Sequence, residues 1–151
     1  MNPLDYLPHA PPMRLIEHVV ELLPGSSATG TRHAHADDFY FDGHFPGEPV
    51  VPAVILVEML AQVGGLAAAA PAEPGAAQPL RLRVAGLGGF RFPAAARAGA
   101  LLEARARVAG RLGVLYKVEG EVTADGEVVA AGSVTLARVG APPVGASRKA
   151  E

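Results

Sequence analysis

Two residues define the chemistry this chain could perform. His44 lies in the stretch Gly43-His44-Phe45-Pro46-Gly47-Glu48-Pro49-Val50-Val51-Pro52. Pro46, Pro49 and Pro52 restrict that loop, so an imidazole can be held there at low entropic cost. Further on comes Glu58, the only charge between Val50 and Ala72. A carboxyl group in such apolar surroundings is costly to ionise, and its pKa is expected to rise. An imidazole that titrates near neutrality and a protonated carboxyl are the two parts of a general acid–base site. Gln62 lies one helical turn beyond Glu58 on the same face, where it can orient the carboxyl or a water. An isolated His–Glu pair is more often structural than catalytic, so residue types alone leave both readings open.

The elements that must position these groups follow from patterning. Residues 1–12 are Pro-rich and read as irregular. Arg14 to Leu23 and Ala28 to Ala36 alternate loosely and read as two strands, with Pro24-Gly25-Ser26-Ser27 as the turn between them. Pro52 suits the first position of a helix, because its missing N–H costs nothing there. That helix runs to about Ala70 and is apolar on nearly every face, so it should be buried on all sides. Residues 71–79 read as a surface connection. Leu80 to Leu87, Leu101 to Val108, Val114 to Thr123 and Val128 to Val139 read as strands. Asp125-Gly126 is a strong hairpin signal, and Gly110 to Gly113 reads as a second turn. The expected fold class is α+β: one long buried central helix wrapped by a curved antiparallel sheet. Residues 1–139 form one domain in this reading, and 140–151 a disordered tail. A sheet of that size leaves an edge open, and pairing of two copies through it is a natural remedy.

Composition removes several function classes. The chain has 151 residues and a net charge of −2, which argues against nucleic acid as the main partner. It has no cysteine, so disulfides and thiolate metal sites are excluded. No signal peptide is evident, and a cytoplasmic location is expected. Val54 to Ala70 is apolar but short for a bilayer span and carries Glu58, Gln62 and Gly64-Gly65; a buried core helix is the better reading. His33 and His35 alternate beside Asp37 and Asp38, but they read as surface residues with solvated acids rather than a metal site. Phe39, Tyr40 and Phe41 read as packing or a lid.

The Gly43–Pro52 stretch, with Glu58 and Leu60-Ala61-Gln62 behind it, resembles the 3-hydroxyacyl-acyl-carrier-protein dehydratases of the FabZ type. Leu7-Pro8-His9, Arg91-Phe92 and Asp125-Gly126-Glu127 fall where that family has similar residues. The resemblance implies the hot-dog fold and no cofactor, the substrate riding on the phosphopantetheine arm of an acyl carrier protein. It places the catalytic His on His44 and the catalytic carboxylate on Glu58. It implies a homodimer whose two subunits share each active site, with further assembly as a trimer of dimers. His9 falls near the site in this reading, with only a weak claim to line it.

In that frame His44 is the base that takes the C2 proton, and Glu58 the acid that protonates the leaving hydroxyl. The Ala53 N–H at the helix start, with Gly47 and Gln62, would bind the substrate and the thioester oxyanion. Ala53 stands where the family usually has Gly. Pro93, Ala94, Ala95 and Ala98 replace a second Arg and two prolines, and His18 stands where an Arg is common. These departures bear on substrate choice and carrier docking, and those around residues 93–98 lean toward a polyketide or polyene-type pathway rather than fatty acid synthesis. Seven arginines between Arg81 and Arg111 face one acid, Glu103. Arg91 and Arg97 are the candidate docking residues for an acidic carrier, against the alternative of solvent-facing strand arginines. Two rival functions stay open: a hot-dog acyl thioesterase, and a non-catalytic acyl-carrier binding subunit.

Overall fold

The computed structural model describes residues 2–73 and 80–140. An N-terminal arm leads into strand β1 (His18–Leu23) and strand β2 (Ser27–His33). Helix α1 (Ala53–Ala69) follows, then β3 (Leu82–Arg91), β4 (Leu101–Leu112), β5 (Leu115–Ala124) and β6 (Glu127–Arg138). The strands form one antiparallel sheet in the order β1-β2-β4-β5-β6-β3. Register shifts in β1, β3, β4 and β5 break the ladder at intervals. Such bulges bend and twist a sheet, and here they let it curl around the helix.

Alternation sets which face is wet. Leu102, Ala104 and Ala106 of β4 point inward and are buried, while Arg105 and Arg107 point out. Met59, Leu60, Val63 and Leu66 of α1 meet this inner face and are fully buried. Each such side chain stabilises the fold by about 1.5–3 kcal/mol. Gly64 lets the helix approach β5: a Cβ there would lie 2.6 Å from Val118 Cγ2. At the far end, the Gly25 N–H of the β1–β2 turn donates to Ala67 O and satisfies one of the last helix carbonyls.

Several boundaries differ from the sequence reading. The first strand starts at His18 rather than Arg14, because residues 13–15 are tied to α1 instead of to a strand. The second ends at His33, where the chain turns toward Asp38. Pro52 is the N-cap and not the first helical residue, with ψ of 142°. The β4–β5 turn falls at Gly113-Val114, and Gly110 is a bulge inside the ladder. β3 starts at Leu82 rather than Leu80 and runs past Leu87 to Arg91 through Gly86, Gly88 and Gly89, which bend this edge strand. Asp125 (φ 49°) and Gly126 (φ 88°) form the two-residue hairpin turn the sequence signalled. Residues 74–79 of the 71–79 connection and 141–151 of the expected tail lie outside the described residues. No helix among the described residues is long and apolar enough to cross a membrane.

The two helix glycines should separate by substitution. Gly64→Ala overpacks Val118 and is expected to destabilise by about 1–3 kcal/mol. At Gly65 a Cβ would lie 3.4 Å from Leu82 Cδ1, the far end of a side chain. Gly65→Ala should therefore be near neutral or gain up to about 1 kcal/mol from helix propensity. Urea unfolding of both variants checks this; equal effects would contradict the packing described.

Candidate active site

Glu58 sits on α1 just past the first turn and opens into a cavity of about 240 Å³. The N-terminal arm supplies Leu7, Pro8 and His9 to its wall, α1 supplies Ala61, Gln62 and Gly65, and β3 supplies Leu82, Arg83 and Val84. Gln62 is 2% exposed and its amide is fully committed. Its Oε1 accepts from Leu15 N at 3.0 Å, and its Nε2 donates to Met13 O at 2.8 Å and to Glu58 Oε2 at 2.9 Å. His9 Nε2 lies 3.2 Å from the same carboxylate oxygen.

This arrangement reverses one sequence expectation. Burial does push the Glu58 carboxyl up, but the hydrogen bonds from His9 and Gln62 and the charge of His9 outweigh it. The net effect holds Glu58 below the usual carboxylate range. The apolar run around Glu58 is real, but its polar neighbours come from the arm and from the next helical turn.

His44 is positioned by its own loop. Glu48 N donates to Phe45 O at 2.9 Å, closing a turn with Pro46 and Gly47 at its centre. Gly47 has φ of 76°, which an L side chain rarely adopts, so this residue makes the turn possible. Val50 N donates to His44 O, and His44 Nδ1 donates to Val50 O at 3.1 Å. A carbonyl can only accept, so that bond puts the proton on Nδ1 and leaves Nε2 as the free basic nitrogen. The loop runs straight into α1, whose N-cap is a proline without a capping side chain. Ala53 is exposed there, and its N–H finds no acceptor among the described residues.

The structure brings Glu58, Gln62 and His9 together, and places His44 and Gly47 in the loop that leads to Ala53 at the start of α1. It does not join the two groups within one chain: His44, Gly47 and Ala53 are absent from the wall of the Glu58 cavity. Arg91 and Arg97 are exposed and line no part of it, whereas Arg83 does. Arg105 and Arg107 pair with Glu103 and Glu119 on the outer face of the sheet. Position 83 carried no stronger sequence signal than its neighbours, since strand register decides which arginine reaches the cavity.

The segment feeding the His44 loop is clamped by charges the sequence reading took as solvated. Asp38 accepts from Arg32, from Tyr40 Oη at 2.6 Å and from His35 N at 3.0 Å. Burial raises the Asp38 carboxyl, but those hydrogen bonds and the Arg32 charge overcome it and hold it low. Tyr40 and Phe41 pack in the core, while Phe39 stays partly exposed. His33 and His35 are on the surface as expected, with His35 paired to Glu17 at 2.7 Å.

A family model described as a FabA-like domain matches residues 7–133. The chain belongs to the FabA-like family. A stretch of 64 residues is 44% identical to the FabZ 3-hydroxyacyl-acyl-carrier-protein dehydratase of Syntrophomonas wolfei, covering 42% of this chain and 44% of that one. The match thus spans less than half the length of the curated relative. Among solved structures, the dehydratase heterocomplex ApeI:P from Xenorhabdus doucetiae superposes with a TM-score of 0.79 at 19% identity, over 93% of this chain and 92% of that one. A hypothetical thioesterase from Streptococcus pneumoniae, solved with coenzyme A, superposes with a TM-score of 0.60 at 11% identity, over 82% and 85%. These likenesses establish the hot-dog fold for this FabA-like chain. They leave the reaction to the site, since dehydratase and thioesterase share the architecture.

Replacing Asp38 by Asn should loosen the clamp by about 1–3 kcal/mol at neutral pH. The folded-state pKa of Asp38 is depressed, so its contribution is present above the ordinary aspartate value and lost as pH falls through the folded one. The stability gap between wild type and variant should shrink below about pH 4. A gap unchanged through that range in pH-dependent denaturation would contradict the clamp.

Proposed function

We propose that this protein dehydrates 3-hydroxyacyl-acyl-carrier protein to trans-2-enoyl-acyl-carrier protein. One observation carries the reading: a single carboxylate, Glu58, faces a helix–sheet cavity it shares with His9, Gln62 and Arg83, while an ordered loop presents His44 with Nε2 free. His44 takes the C2 proton, and the thioester oxygen gains negative charge as it leaves. The Ala53 N–H, aided by the helix dipole, stabilises that charge. Glu58 returns a proton to the departing C3 hydroxyl, which leaves as water. Gln62 fixes the carboxyl that does this, and Gly47 shapes the loop that holds the base. No cofactor enters the scheme.

His44 and Glu58 meet across two subunits in this proposal. Support comes from what one chain leaves exposed. The His44 loop is open from Asp42 to Pro49 apart from His44 itself, with Phe45 56% exposed, and Val54 beside it is 73% exposed. Edge strand β3 leaves Val84 and Leu87 in solvent. An edge of that kind is a template for pairing with a second copy. The joined β3 strands would carry the partner's loop toward the Glu58 cavity and complete two equivalent sites. The carrier's anionic arm would meet Arg83 at the mouth, with Arg91 and Arg97 as outer docking charges. The acyl chain would then belong to fatty acid or polyketide-type biosynthesis, which a panel of chain lengths separates.

Intact-mass analysis of a 3-hydroxyacyl-carrier protein incubated with the enzyme tests the reaction. Loss of one water is expected, with Glu58→Gln and His44→Ala each lowering the rate by about 10²–10⁴. Release of the bare carrier arm would make the protein a thioesterase. Unchanged turnover in either variant would remove that residue from the mechanism.

A further inference from the structure

We propose that His9 is the positioning residue that supplies Glu58 with the proton it hands to the leaving hydroxyl. The inference rests on the dehydratase reading and deepens it. A Glu58 carboxyl held low is a poor acid by itself at neutral pH, so the acid function needs a second proton holder. His9 is placed to be one. Its Nε2 lies 3.2 Å from Glu58 Oε2, and both residues line the same cavity. His9 Nδ1 is buried and has no partner among the described residues, so Nε2 is the ring's one polar outlet. Glu58 Oε1 makes no hydrogen bond among the described residues and is free to face a substrate.

The charged groups around the pair are few. The arm contributes His9, α1 contributes Glu58 and β3 contributes Arg83, while β6 contributes only Leu136. Arg83 stays charged throughout, so it has no proton to exchange with Glu58, and His9 is the neighbour placed to do so. The proton count closes. The resting pair holds one proton between His9 Nε2 and the Glu58 carboxylate. As His44 takes the C2 proton, the C2–H electrons form the C2–C3 double bond and the C3–O electrons leave with oxygen. The hydroxyl takes the pair's proton from Glu58 and departs as water, leaving neutral His9 and Glu58 carboxylate. His44 then releases its proton to solvent, and the pair takes one up.

Two variants test this. His9→Gln keeps an N–H donor near Glu58 but cannot carry a proton, and His9→Leu removes both functions. With His9→Gln, kcat at neutral pH should fall about 10–100-fold with KM little changed. The alkaline limb of the kcat profile should move to lower pH, because a carboxyl alone loses its proton earlier than an imidazole does. The Glu58 carboxyl, followed by ¹³C NMR, should titrate higher in both variants because the imidazole no longer holds it down. In His9→Gln, which keeps an N–H to orient the carboxyl, a falling kcat with a shifted alkaline limb separates proton supply from orientation. Wild-type kcat and pH limbs in His9→Gln would overturn the inference and leave the dehydratase reading intact. A wild type that dehydrates no acyl-carrier substrate would overturn both. A Glu58 titration unmoved in His9→Leu would overturn the pairing whatever the turnover.

Discussion

The buried amide of Gln62 is the constraint on which the site depends. It is the one polar side chain fully enclosed among the described core residues, and such a group persists only when its hydrogen bonds are met. Its oxygen and nitrogen are bound to Leu15 and Met13, which fastens the N-terminal arm to α1. Its remaining N–H goes to Glu58 and fixes the carboxyl. The same fastening brings His9 against Glu58 and starts β1 in register. Losing the amide would leave two backbone groups of the arm unpaired and free the carboxyl at once, so stability and chemistry meet in one side chain.

The fold supplies the two halves of the chemistry in different ways. Glu58 is held by Gln62 and His9, on a helix packed against β1, β2, β4, β5 and β6. His44 is held by backbone geometry, in a loop fixed by Pro46, Gly47 and two bonds to Val50. The first half lines a cavity and is partly buried; the second stands at an exposed apolar margin with Phe45 and Val54. That asymmetry suits the proposed active site shared between subunits, in which the open half reaches toward a partner's cavity.

Much of this was legible in the chain. The lone carboxylate in an apolar helix, the proline-stiffened histidine loop and the Asp125-Gly126 turn are local signals, and each stands where its local physics puts it. What failed to show was long-range. The expectation of a raised Glu58 pKa counted apolar neighbours in sequence and missed His9, which reaches it only because the arm folds back. Asp38 read as solvated because Arg32 and Tyr40 surround it only once β2 has turned. Gly110 read as a turn because a bulge and a turn use the same residue, and only strand register tells them apart. Arg83 could not be singled out from Arg91 and Arg97 for the same reason.

The central claim is that His44 of one subunit works with Glu58 of another. Mixing the two inactive variants tests it directly. His44→Ala and Glu58→Gln, unfolded and refolded together in equal amounts or co-expressed, should pair at random and give heterodimers with one intact site. The account predicts recovery of about a quarter of wild-type dehydration, from half the dimers carrying one good site of two. No recovery from demonstrated heterodimers would place both residues in a site within one chain and contradict it.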